Sequence, residues 1–281
     1  MALGLFNYVK SGRGVSKNAS KKKPAKLFFE IYVRKFWKLI TLNLITFLFC
    51  LPVVTIGPAI SGMTKVLKNY AIEKNAFIWH DFWKGFKENF VKSLIIGLLD
   101  TVFCISFFAA VNVYPQLAEN SNLGVLFYAL CGISICFFIT IIMMNFYAFP
   151  MITSTELSLK NIIKNSFILT SVALKKNILV FIISAVLVFA VMIGIYFNFM
   201  VTILIPFWLI TFIGFIIVFN VYPVIQKYVI EPYYEQRGEE NPEYDYLKPV
   251  SGDESLFTDN GGNDIPVDLT GHNSSKTKTI S

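Results

Sequence analysis

The chain has little charge. Lys, Arg, Asp and Glu together make up 15% of its 281 residues, where a water-soluble domain carries about 25%. It has two histidines, His80 and His272, neither at metal-ligand spacing. No P-loop, GxGxxG, HExxH or GxSxG occurs, and Gly12-Arg-Gly14 lies in a basic arm with no strand before it. Neither a catalytic residue nor a cofactor is therefore expected. The four cysteines (Cys50, Cys104, Cys131, Cys136) include no CxxC pair and all fall in apolar stretches. They read as free thiols acting as small apolar groups, with no disulfide and no metal site.

What fills the space is hydrocarbon. Apolar residues are 55% of the chain, 28 of them Phe, and mean hydropathy is +0.58. Ser93–Tyr114 contains a single charge, Asp100, while Leu123–Pro150 and Asn177–Ile225 contain none. Runs of roughly 20 apolar residues cross a bilayer core as helices, and a β-barrel would instead show alternating segments of about ten. The expected fold is an all-α, polytopic transmembrane bundle of five to six membrane helices with interfacial amphipathic helices.

Charge divides the chain into a basic cytoplasmic arm (1–26), a helical membrane domain (27–230) and an acidic tail (231–281). The tail holds 11 acids and four bases, so residues 1–230 carry a net charge of +14. Those bases suit anionic lipid headgroups rather than nucleic acid. The tail is polar and rich in Gly, Asn, Asp and Ser, a composition expected to stay disordered. The basic region before the first apolar run is too long for an ordinary signal peptide, and no small-x-small site follows it. The N-terminus is expected to be retained.

Loop lysines set the orientation. Residues 1–38 hold ten Lys and Arg, Lys65–Lys92 six lysines and Met151–Lys176 four, whereas Pro115–Asn122 has none. Five spans would leave one basic segment outside. A hairpin removes the conflict: a helix over about Leu27–Leu51, a turn at Pro52–Pro58, and a weaker returning helix over Ala59–Ala71, either spanning or re-entrant. The other spans are expected near Val91–Tyr114, Leu123–Phe149, Lys175–Phe197 and Met200–Lys227. The whole is N-in and C-in. Amphipathic stretches at Asp81–Phe90 and Leu157–Leu174 each enter a span through a Lys-Asn elbow. In the first, Phe82, Trp83, Phe86 and Phe90 fall at helical spacing, and with Trp37 they are expected to anchor in the headgroup layer.

Asp100 is the one acid inside a span. An ionisable residue there points to a ligand contact or proton relay. The structural alternative, with Asp100 neutralised by protonation or by Lys65 or Lys68 of the second helix, stays ahead because no span holds a second acid or a histidine. Asn112 and Asn145 complete a candidate polar site. Otherwise the intramembrane asparagines, Asn43, Asn198 and Asn220 included, make interhelical hydrogen bonds of roughly 0.6 kcal/mol each. Glycines within spans (Gly97, Gly132, Gly194, Gly214) are expected to let helices approach closely.

The run Lys35-Phe-Trp-Lys-Leu-Ile-Thr-Leu-Asn43, continuing through Phe49-Cys-Leu-Pro-Val-Val-Thr-Ile-Gly-Pro-Ala59, resembles the YesL-like family of bacterial membrane proteins. Gly4-Leu-Phe-Asn-Tyr8, Lys21-Lys-Lys-Pro24 and Asp81-Phe-Trp-Lys-Gly-Phe-Lys-Glu-Asn-Phe90 add to the likeness. The resemblance implies a multi-pass protein of a bacterial plasma membrane, associated with carbohydrate uptake, whose partners would be ABC-transporter permease or ATPase subunits. It carries over no catalytic residue, and the acidic tail has no counterpart in it. The residues themselves leave a second reading open, a small-molecule transporter with its own polar pathway near Asp100.

Overall fold

A computed structural model describes residues 24–239, 241 and 243. The arm up to Lys23 and the tail from Tyr244 onward lie outside them. Every regular element among the described residues is helical, as continuous apolar runs in lipid demand, because a helix satisfies its backbone groups internally. Three times a short amphipathic helix leads into a long apolar one: α1 (Pro24–Arg34) into α2 (Phe36–Cys50), α4 (Ile78–Glu88) into α5 (Phe90–Glu119), and α7 (Leu159–Val172) into α8 (Leu174–Phe197). Each junction is one residue, Lys35, Asn89 or Ala173, with φ of −106°, −108° or −104° and ψ of 11°, 14° or 28°. That bridge-region backbone interrupts the helix without inserting a loop. The second and third elbows lie within a few residues of the expected ones; the first was hidden in what read as one helix over 27–51.

Between these units run α3 (Ile56–Ala71) and α6 (Gly124–Ser154). After α8 comes a broken stretch: a 3₁₀ turn at Phe199–Ile203, π-helical turns at Ile205–Leu209 and Gln226–Ile230 on either side of α9 (Ile210–Ile225), and α10 (Glu231–Arg237). Among the described residues four stretches are long and apolar enough to cross a membrane: α5, α6, α8 and Phe199–Arg237, of 30, 31, 24 and 39 residues. With 15 residues, α2 reaches about 22 Å, short of a hydrocarbon core of roughly 30 Å. The hairpin between α2 and α3 turns at Leu51–Thr55, where the Thr55 hydroxyl donates to the carbonyls of Phe49 (2.7 Å) and Pro52 (2.9 Å). Pro58 sits in the first turn of α3, where its missing N–H costs nothing.

The least apolar of the expected spans is the centre of the fold. α3 packs against α1, α2, α4, α5, α6 and α9, and Gly57, Pro58, Ala59, Ser61, Gly62, Met63, Thr64, Val66, Leu67 and Tyr70 are all buried. Its neighbours shield it from lipid, so it has no need of an apolar circumference. Its small residues replace bulk with proximity, the usual basis of helix packing in membranes. A Cβ on Gly57 would stand 2.1 Å from the Ser93 carbonyl oxygen and 3.3 Å from the Gly97 Cα, so α3 and α5 touch backbone to backbone. α3 and α4 do the same, a Cβ on Gly85 falling 3.1 Å from the Gly62 Cα. Gly214 instead makes room for the side-chain ends of Met63 and Leu67 of α3, whereas Gly132 faces open space and brings no helix close.

Away from this hub the long helices are bare. The most apolar 18-residue stretch of α6 has no residue buried by the rest of the chain, and the shares for α5 and α8 are 6% and 11%.

Candidate functional site

Asp100 lies ten residues into α5, at a depth where the wall is otherwise apolar. Its partner is Asn145 of α6, whose amide donates to the Asp100 Oδ1 at 2.8 Å. This corrects the expectation of a lysine partner. Lys65 bonds Glu88 of α4 at 2.7 Å, and Lys68 bonds Glu243 at 3.1 Å. Both ammonium groups sit on the polar end of α3 and find acids there, so neither belongs to the intramembrane site. Nor does Asn112, which donates to the Phe108 carbonyl of its own helix at 2.7 Å.

The pair lines a cleft of about 610 Å³ between α5, α6 and α7, walled by Leu99, Phe103, Phe137, Ile141 and Phe167 among others. Two hydroxyls join the lining. Thr140 donates to the Cys136 carbonyl at 2.9 Å. Ser166 of α7 is 1% exposed, and its Oγ has no hydrogen-bond partner among the described residues. A second cleft, of about 800 Å³, opens between α6, α8 and α9, and contains no ionisable group. Among the described residues no three His, Cys, Asp or Glu side chains gather as a metal site would need.

The anchor residues divide. Trp37 is 78% exposed, Phe90 is at the surface, and Trp83 is half-buried with the Lys87 ammonium 5.1 Å over its ring. Phe82 and Phe86 are not anchors. They are buried against Phe49 of α2, with ring centroids 5.6 Å away in both cases, and Phe82 covers Gly62. The aromatics do recur at helical spacing, but Phe82 and Phe86 turn inward toward α2 and α3, where Gly62 and Gly85 bring α3 and α4 close.

Other functional positions had no strong signal in the sequence. Asn43 donates to the Ile205 carbonyl at 2.8 Å and accepts from the Thr211 N–H at 2.7 Å. Asn177, fully buried, accepts from the Tyr147 hydroxyl at 2.7 Å and donates to the Thr170 carbonyl at 3.0 Å, closing the end of α7. Asn220 donates within its own helix, and Asn198 caps the Met200 N–H. Asn43 and Asn198 thus support irregular backbone, a different task from the interhelical bond expected of them, and Asn177 does the same at the end of α7.

The tail boundary also moves. α10 continues the helical stretch past 231, Asn241 is buried, and Glu243 is held by three donors: Lys68, Gln226 at 3.2 Å, and the buried hydroxyl of Tyr222. Burial pushes the Glu243 carboxyl up, but the Lys68 ammonium and the Tyr222 and Gln226 hydrogen bonds outweigh it, leaving it below the usual glutamate range. A carboxyl so depressed stabilises docking fully above its unfolded pKa, and the contribution is lost as pH falls through the folded value. Amide exchange across residues 231–239, corrected for intrinsic rates and compared with α9, should therefore accelerate on acidification. In Glu243→Gln it should be fast at neutral pH and lose that pH dependence; a wild-type pH profile in the variant would refute the latch.

Residues 39–113, roughly a quarter of the chain, match a family described as "Protein of unknown function, DUF624". The match supports kinship with an uncharacterised membrane-protein family. It runs from α2 to Val113 in α5, and so takes in the α3 hub, both glycine contacts and Asp100, but not Asn145. No curated protein and no solved structure matches the chain significantly.

Proposed function

We propose that this chain is a multi-pass protein of a bacterial plasma membrane that works as a non-enzymatic accessory or scaffold in a carbohydrate-uptake system. Its lysine-bearing ends face the cytoplasm. The observation that carries this reading is how little α5, α6 and α8 bury against their own chain. The α3 hub holds α5 and α6, α8 packs on α9 and α7, and the remaining flanks are left for lipid or for the helices of other subunits, which in a bilayer associate by packing rather than by hydrophobic drive. The orientation draws on the lysine loops and on Lys92, which donates to the Leu157 carbonyl at 3.0 Å and ties the start of α5 to the chain just after α6. The sugar-uptake setting rests on the resemblance to YesL-like proteins, and the proposed partners are permease or ATPase subunits.

Extraction in a mild detergent followed by affinity capture of the full chain should recover such subunits in reproducible ratio. Repeated recovery of the chain alone would remove the proposal. A small-molecule transporter is the second reading, favoured by the Asp100–Asn145 cleft. It ranks lower because the polar groups form one notch open to the side, with Asn112 bonded back into its own helix.

A further inference from the structure

We propose that the cleft between α5, α6 and α7 binds a lipophilic amine, which enters sideways from the bilayer, sets its ammonium against Asp100 and lays its chain along the aromatic wall. Three independent features point there. The first is uncompensated charge. Asn145 is the single partner of Asp100 among the described residues, it occupies one carboxylate oxygen, and Lys65 and Lys68, the partners expected from the sequence, are paired elsewhere. An acid at membrane depth is neutralised by protonation or by a countercharge; no ion pair to Asp100 forms among the described residues, and an ammonium-bearing ligand would supply one.

The second feature is Ser166. Its hydroxyl is buried, lines the same cleft and has no partner. An orphaned hydroxyl costs about 1–3 kcal/mol, a cost that a ligand donor or acceptor beside Asp100 would remove. The third is shape. The α6 residues of the lining run from Phe137 to Ala148, about 16 Å along a helix, which fits an extended chain of about a dozen carbons. Leu99, Phe137 and Phe167 are 41%, 57% and 54% exposed, so the mouth opens on the lipid-facing side rather than toward either end of the bundle. Asp100 and Asn145 sit within that length, with Phe103 and Phe137 stacked edge to face beyond them at 5.8 Å.

The 800 Å³ cleft on the other side of α6 serves as a control built into the same molecule. It also has a buried, unpartnered serine, Ser184, but no acid. The two clefts differ mainly in charge, so charge is what should separate their ligands. The proposal rests on the membrane placement alone and stands whether or not transporter subunits are recovered.

The test uses the purified full chain in lipid nanodiscs and a dodecylamine carrying a photoreactive diazirine on its chain, with the matching dodecanol for comparison. The amine adducts should map to peptides of α5, α6 and α7, be displaced by excess dodecylamine and resist dodecanol. Asp100→Asn, which keeps the shape and the hydrogen bond to Asn145, should cut this labelling about tenfold, as expected for loss of one charge-assisted contact. Thr140→Phe should block the cleft with Asp100 untouched. Labelling of the α8-side cleft by the alcohol should be unchanged in both variants, which reports an intact bundle. Equal labelling of the α5–α7 cleft by amine and alcohol, adducts spread evenly over lipid-facing helices, or full labelling in Asp100→Asn would each overturn the proposal. If both variants unfold, wild-type selectivity for amine over alcohol at this cleft decides the question.

Discussion

Gly57→Ala is expected to lower stability by about 3 kcal/mol, at the upper end of overpacking costs, and Gly57→Val to abolish monodisperse protein. The added Cβ would stand 2.1 Å from the Ser93 carbonyl oxygen, far inside any observed contact, and the obstructing atom is backbone. A side chain could rotate away; a carbonyl in α5 moves only if α5 moves. α3 also contacts α4, α6 and α9, so a shift at Gly57 propagates to most of the core. Gly132→Ala is the control, since nothing lies within 4 Å of that Cβ and alanine favours helix by up to about 1 kcal/mol. Heating detergent-solubilised protein and following its monodisperse fraction by size exclusion separates the two. A Gly57→Ala midpoint equal to wild type would mean that the α3–α5 contact is looser than described.

Asn43→Leu should cost a comparable amount, about 2–6 kcal/mol for two stranded backbone groups at roughly 1–3 kcal/mol each. Near the start of the last apolar stretch Pro206 lacks an N–H, and the turn over Ile205–Leu209 is π-helical, so the ordinary helical bonding is broken there. Asn43 meets both sides of the break, donating to the Ile205 carbonyl and accepting from the Thr211 N–H, while fully buried. Water has no access at that depth to substitute. Asn43→Asp keeps the acceptor and loses the donor, so it should fall between. The amide of Thr211 should lose hydrogen-exchange protection in Asn43→Leu; unchanged protection together with an unchanged melting midpoint would show that the break is satisfied some other way.

The first of these predictions lies in a helix whose importance hydropathy understates. Averaged apolarity detects faces that meet lipid, and it finds the starts of α5, α6, α8 and the last helical stretch to within one residue, while that last stretch runs on to Arg237, ten residues past the expected end at Lys227. α3 meets protein on its sides, so burial there comes through Gly57, Gly62 and Ser61, which score as unremarkable. The same blindness placed Phe82 and Phe86 in the headgroups: spacing shows that aromatics share a face, never what covers it. Asp100 was found because a charge in a long apolar run is conspicuous. Its partner was not, because pairing with Asn145 depends on how α5 and α6 align side by side. Glu243 looked like any other acid of a polar tail until Lys68, Gln226 and Tyr222 were seen to converge on it.

By itself the sequence determined that the chain is helical and built for lipid, since unbroken apolar runs leave the backbone no other way to satisfy its hydrogen bonds. The tertiary structure alone decided which helix is central, which residue partners Asp100 and which asparagines brace broken backbone. Those follow from where separate segments meet, and contact between segments far apart in the chain leaves no periodic mark on either of them.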